Sequence, residues 1–178
     1  MTYPGPYFRI VVGVDDSAAA WAALGWAAQQ ARRTGAELVV LHAWGELPGC
    51  RAPYAPPPAP AEETAQRAAA EAVVAAAVAA VRDGCPEVPV RSVICRERAE
   101  RALLRHSGTA DLLVLGCRRP VDDARGYTGA TLRSCLARAA CPTVVVAPGQ
   151  VGRVESPPPS DAYAAIGSPF EMTRPAYG

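Results

Sequence analysis

The chain contains no lysine, because all 18 of its basic residues are arginine. This absence excludes the lysine clamp of a P-loop nucleotide site and the lysine nucleophile of Schiff-base chemistry. It also excludes a phosphoacceptor receiver domain, since the acidic pair Asp15 and Asp16 would need a lysine on a later strand. The net charge is only +1, so neither nucleic acid nor an anionic membrane surface is an expected partner.

Metal-ligand, disulfide and export patterns are also missing. The six cysteines form no C-x-x-C pair, and the two histidines, His42 and His106, fit no ligand spacing, so no metal site is predicted. The N-terminus lacks the basic and apolar regions of a secretory signal. The longest alanine-rich stretch, residues 68–81, is too short to span a bilayer. We therefore expect a cytoplasmic protein with free thiols and no membrane attachment.

The apolar periodicity predicts an α/β fold. Short β-branched runs alternate with longer segments of helical spacing, which predicts a single doubly wound, five-stranded parallel sheet of the Rossmann-like type with helices on both faces. Residues 1–7 are expected to be a flexible lead, 8–148 the domain, and 149–178 a Pro/Gly-rich disordered tail. Strands are predicted at 9–14, 37–43, 88–94, 112–116 and 143–146, and helices at 18–34, 62–83, 98–106 and 130–139.

Two loops of this predicted sheet are expected to form one crevice. In a doubly wound sheet, ligands bind outside the carboxyl ends of the strands where the strand order reverses. Strands one and four are expected to lie side by side there, ending at Asp15 and Gly116. The loop after Gly116 leads into a helix, whose unpaired N–H groups suit a phosphate.

Six short landmarks follow one another along the chain: Val11-Val-Gly-Val-Asp15, Ser17, Leu24-Gly-Trp-Ala27, Leu41-His-Ala43, Leu112-Leu-Val-Leu-Gly116 and Cys141-Pro-Thr-Val-Val-Val146. In this order they resemble the universal stress protein family. The resemblance covers about residues 8–148 and implies a five-stranded doubly wound domain that is usually dimeric. Some members of the family bind ATP and others do not.

The phosphate loop of ATP-binding members is matched at two of its four positions. Gly116 and Gly129 match family glycines, whereas Arg119 stands at a glycine position and Ala130 at a Ser/Thr position. The Arg119 guanidinium can offer a phosphate a two-pronged hydrogen-bonding group. Thr131, next to Ala130, could partly replace the missing hydroxyl.

The resemblance also implies that Asp15 faces a ribose and that Ala43 lies beside the adenine. From the residues alone, Asp15 has two open roles: it could hold a ribose hydroxyl or a metal-bound phosphate, or it could pair with a nearby N–H at the strand end. The expected cofactor is ATP, with Mg²⁺ only alongside bound ATP. The predicted cofactor-binding residues are Gly13, Asp15, Ala43, Gly116, Arg118, Arg119, Gly129, Ala130 and Thr131.

The leading hypothesis is an adenine-nucleotide-binding regulatory protein with a degenerate phosphate-binding motif. The alternative is a dimeric interaction protein of the same fold that binds no nucleotide, and a slow ATPase is the third hypothesis. No catalytic residue is predicted, because the chain has no G-x-S-x-G, H-x-x-E-H or H-x-G-H motif. A homodimer is expected through residues 143–146, a candidate edge strand that needs covering. The sequence assigns no partner to the tail and no role to Cys117.

Overall fold

The elements alternate between strand and helix along the residues that the computed structural model describes, which are 8–45, 60–117 and 129–148. The predicted lead and tail lie outside these residues. The bounds of α1, β2, β4 and β5 agree with the prediction, and the other bounds differ by one or two residues. The elements are β1 (Arg9–Gly13), α1 (Ala18–Thr34), β2 (Glu37–Ala43), α2 (Pro60–Gly84), β3 (Val90–Cys95), α3 (Ala99–Ser107), β4 (Leu112–Gly116), α4 (Ala130–Arg138) and β5 (Thr143–Val146).

The five strands form one parallel sheet in the order β3-β2-β1-β4-β5. Val11 of β1 pairs with Val39 of β2 on one side and with Leu113 of β4 on the other. The strand order therefore reverses between β1 and β4, as predicted. β3 and β5 are the edge strands, and Pro89, which has no N–H, directly precedes the edge strand β3.

Helices cover both faces of the sheet, which confirms the predicted doubly wound architecture. Alternate residues of each strand point to opposite faces. Ile10 and Val12 pack with α1 and α2 in one apolar cluster. Val11 and Leu113 pack with α3 and α4 in a second cluster on the other face. Both faces of the central strands are buried, which explains their continuous apolar runs.

The ends of α1 follow the sequence signals closely. Ser17 is the N-cap, and its hydroxyl accepts a hydrogen bond from the N–H of Ala20 at 3.2 Å. Gly35 ends the helix in the left-handed conformation, with φ of 68°, where a side chain would be strained. The helix therefore begins immediately after the carboxyl end of β1, and this position sets one wall of the site described below.

The longest helix, α2, has 25 residues and extends beyond the alanine-rich stretch singled out in the sequence. By length and composition alone it could cross a membrane, with a mean hydropathy of 1.3 over 18 residues. Core helices of soluble proteins, which are mostly buried, pass the same test, whereas 22% of this window is buried. Here Val74, Ala77 and Val81 are buried, and the last two belong to the core cluster beneath α1 and α2.

Candidate functional site

A crevice of about 550 Å³ opens at the carboxyl edge of the sheet, where β1 and β4 lie side by side. Its size is typical of small-molecule sites. All seven of the predicted site residues that the structure describes line it: Gly13, Asp15, Ala43, Gly116, Gly129, Ala130 and Thr131. The other two, Arg118 and Arg119, lie outside the described residues. The sheet topology thus brings together residues that are more than 100 positions apart in the chain.

Asp15 lies at the turn from β1 into α1. Its Oδ1 accepts a hydrogen bond from the backbone N–H of Ser17 at 2.9 Å and another from the Ser17 hydroxyl. This is the strand-end pairing that was one of the two roles considered for Asp15. Because a carboxylate oxygen pair can accept about four hydrogen bonds, the pairing is compatible with a contact to a ligand as well.

Gly116 packs against the backbone of α1 at the floor of the crevice. A Cβ atom on this residue would lie 2.3 Å from the carbonyl carbon and oxygen of Ala19 and 2.7 Å from the nitrogen of Ala20. No side chain fits at such distances. Glycine at this position therefore lets β4 end directly against the first turn of α1. As a result, these two walls of the crevice lie close together.

The first turn of α4 forms another wall. Gly129 is its N-cap and supplies no side-chain hydrogen bond, and the first turn contains no acidic residue. The N–H groups there carry the positive end of the helix dipole without an internal counter-charge. A Cβ on Gly129 would meet no described atom within 4 Å, so this glycine leaves open space where Gly116 leaves none.

The sequence prediction missed several lining residues. Leu41, Leu103, Leu115 and Leu132 supply apolar surface and belong to the cluster beneath α3 and α4. His42 also lines the crevice, and its Nδ1 lies 2.7 Å from the carbonyl oxygen of Val14. Since a carbonyl only accepts hydrogen bonds, Nδ1 is the protonated nitrogen. His42 is therefore held by a hydrogen bond to the backbone, and its position in the crevice could have been inferred from its proximity to Ala43.

The described cysteines form no disulfide with one another, and most of them are buried. Burial raises the pKa of the Cys135 thiol to about 11, and burial also raises the pKa values of Cys85, Cys95 and Cys141. These four thiols therefore stay protonated near neutral pH and serve as small apolar side chains. Cys117 is likewise buried and follows Gly116 in the lining of the crevice. In the described ranges, no group of three or more His, Cys, Asp or Glu side chains could hold a metal ion.

Arg96 links two elements next to the crevice in an arrangement that we call the Arg96 clasp, made of Trp44, Arg96 and Glu63. The guanidinium lies over the Trp44 ring, 5.5 Å from its centroid. It also forms an ion pair with Glu63 of α2 at 2.5 Å. The clasp holds the residue that follows Ala43, at the end of β2, to the first turn of α2.

The fold and the crevice define a doubly wound α/β protein with an open crevice at its topological switch point. The model of the Universal stress protein family matches residues 6–147, and the chain belongs to this family. No curated protein sequence matches the chain significantly.

Solved structures of the family share the fold. The universal stress protein UspA from Lactobacillus plantarum is 24% identical over 80% of this chain and 99% of its own, with a TM-score of 0.55. The Archaeoglobus fulgidus protein in complex with dAMP is 21% identical over 79% and 98%, with a TM-score of 0.55. The Arabidopsis thaliana family protein with AMP bound is 17% identical over 80% and 92%, with a TM-score of 0.53.

Proposed function

We propose that this chain is an adenine-nucleotide-binding regulatory protein of the cytoplasm. One observation carries the proposal: residues from four separate segments, predicted as a nucleotide site from the sequence, line a single crevice at the switch point of the sheet. In this class of fold the switch point is the usual place for a nucleotide. The two solved relatives that hold dAMP and AMP support the adenine base as the feature recognised.

Each part of a nucleotide has a matching part of the crevice. The small side chain of Ala43 leaves room for a base beside Leu41 and Leu103. The Asp15 carboxylate can accept a hydrogen bond from a ribose hydroxyl. The first turn of α4, with no acidic residue and an open Gly129, suits a phosphate.

ATP remains the predicted ligand, together with Mg²⁺ held mainly by the phosphates. Among the described lining residues Asp15 is the only carboxylate, so a metal ion would depend on oxygen atoms of the nucleotide for most of its ligands. A regulatory role, rather than turnover, fits a chain with none of the catalytic motifs considered above. Release of phosphate from ATP under saturating conditions would instead support the slow ATPase.

Replacement of Asp15 is expected to weaken nucleotide binding. In Asp15→Ala both the ribose acceptor and the Ser17 pairing are lost, and we expect affinity for AMP or ATP to fall about tenfold, as for one hydrogen bond to a charged group. Asp15→Asn keeps an Oδ1 that can accept from Ser17 and should lose less. Isothermal titration calorimetry measures both. If the wild type and both variants bound the nucleotide with equal affinity, Asp15 would not contact the ligand.

The dimeric interaction protein remains the second candidate because the end of the sheet at β5 is uncovered in the described chain. The N–H of Leu113 donates to the carbonyl of Pro142, and the N–H of Cys117 donates to that of Val146. Since these directions alternate along a strand, the backbone groups of Thr143 and Val145 face away from β4. An antiparallel β5 strand of a second copy would satisfy them and give a two-fold interface.

Val145→Pro is therefore expected to give a monomer. Proline removes an N–H that faces outward, so the hydrogen bonds between β4 and β5 are kept while the pairing between copies is lost. Ile94→Pro is the matched control, because Ile94 is exposed on the other edge strand and its N–H also faces outward. Sedimentation velocity should show a dimer for the wild type and for Ile94→Pro. A monomeric wild type at micromolar concentration would contradict the proposed dimer.

A further inference from the structure

The described lining of the crevice has little positive charge to offer a phosphate. It contains no arginine, and Asp15 is its only carboxylate. The helix dipole of α4 supplies partial charge, yet it is screened by solvent at an open site. An anionic ligand would gain most from a guanidinium at the rim, because charge-assisted hydrogen bonds to phosphate are about twice as strong as neutral ones.

Three of the four arginines in and just before α3 are already paired with other residues. Arg96 is held by the Arg96 clasp. Arg101 and Arg105 both pair with Glu97, which is largely buried between them. Arg105 also donates to the sulfur of Cys95 at 3.4 Å. These three guanidinium groups stabilise the segment between β3 and α3 and are not available to a ligand without breaking those contacts.

Arg98 differs from these neighbours. Its side chain is exposed and makes no hydrogen bond or ion pair to any other residue in the described parts of the chain. It is the N-cap of α3, in an extended conformation with φ of −62° and ψ of 138°. The next residue, Ala99, lines the crevice, as does Leu103 one turn later. Arg98 itself does not line the crevice, but its backbone adjoins the lining through Ala99.

Arginine is a poor choice for this position on local grounds. An N-cap residue normally accepts a hydrogen bond from the helix N–H groups, and a guanidinium has no acceptor atom. Its positive charge is also unfavourable at the positive end of the helix dipole. Arg98 is thus unfavourable at this helix end, and no contact within the described protein compensates for it. Residues of this kind are typical of ligand sites.

We propose that Arg98 is a specificity-determining residue of the crevice that contacts the phosphate of a phosphorylated adenine nucleoside. The inference rests on the proposed function and extends it, because it makes the phosphate, and not the base alone, a feature that the site recognises. The guanidinium supplies at the rim the positive charge that the described lining lacks, and its two parallel N–H donors match two phosphate oxygens.

Calorimetric titration with AMP and with adenosine tests this assignment. Arg98→Ala is expected to weaken AMP binding about tenfold and to leave adenosine binding unchanged. Tenfold is the lower end of the range for a hydrogen bond to a charged group, as suits an open site. Arg98→Lys keeps the charge but loses the two-pronged geometry and should fall between the wild type and Arg98→Ala. The loss in Arg98→Ala should shrink as sodium chloride is raised, because salt screens the contact.

Arg33→Ala is the matched control, because Arg33 is exposed in the last turn of α1, at the opposite end of that helix from Ser17. It removes the same charge far from the crevice and should bind AMP like the wild type. Equal AMP affinity in the wild type and Arg98→Ala would overturn the role of Arg98 and leave the nucleotide site standing. An equal loss for AMP and adenosine would also overturn it, since Arg98 would then shape the crevice without contacting phosphate. A wild type that binds neither compound would overturn both proposals.

Discussion

Gly116→Ala is expected to destabilise the domain by about 3 kcal/mol, at the upper end for an overpacked core position. The added Cβ would lie 2.3 Å from the Ala19 carbonyl group, and the clashing atoms belong to the backbone, which cannot rotate away. β4 and the first turn of α1 would have to separate. Urea unfolding followed by circular dichroism measures the change in the free energy of unfolding.

Gly108→Ala is the matched control for this substitution. Gly108 has φ of −67° and ψ of −15°, which any residue adopts, and its new Cβ would make an ordinary contact of 3.5 Å with the carbonyl oxygen of Arg105. This variant should be as stable as the wild type or up to about 1 kcal/mol more stable, because alanine restricts the unfolded chain. Similar stabilities for the two alanine variants would contradict the close packing at Gly116.

Leu24→Ala is expected to cost about 2–5 kcal/mol of folding free energy. Leu24 lies on the inner face of α1, is 1% exposed and belongs to the cluster beneath α1 and α2. Truncation removes its apolar contacts and leaves a cavity that close-packed neighbours fill only in part. Thermal or chemical unfolding of the purified variant gives the value.

Leu136→Ala is the matched control for Leu24→Ala. The two variants lose the same atoms, so the difference between their losses of stability measures the effect of burial. Leu136 lies on α4 with half of its surface exposed. Its truncation should change stability by no more than about 0.5 kcal/mol, as for most surface substitutions. A loss at Leu136 that equals the loss at Leu24 would mean that the outer face of α4 is covered in solution, for example by a second copy of the chain.

The architecture could be predicted from the sequence because its signals are local. Ser17 and Gly35 mark both ends of α1, and the predicted bounds of that helix are those observed. Two of the boundary errors involve proline. β3 begins two residues later than predicted, directly after Pro89, and α2 begins two residues earlier, at Pro60. Proline is well suited to the first position of a helix, where its missing N–H would have no partner.

From the sequence, only those parts of the candidate site that follow from the order of the strands could be predicted. The ends of β1 and β4 had to meet once the strand order was known, so Asp15 and Gly116 were found together. The reason for glycine at position 116 is different. The sequence predicts Gly116 as a cofactor-binding residue, and the structure adds a close approach to the α1 backbone. Such an approach depends on distances between elements, which no local pattern contains.

The Arg96 clasp has a consequence for how much variation in chain length this protein can tolerate. Trp44 and Glu63 stand on either side of the connection between β2 and α2, and Arg96, from a third segment, holds both. Because the clasp joins the two ends without using the connection itself, we expect each doubling of the connection's length to cost about 0.6 kcal/mol of loop-closure entropy. Insertions and deletions between these two anchors can therefore accumulate during evolution, while the described walls of the crevice keep their positions.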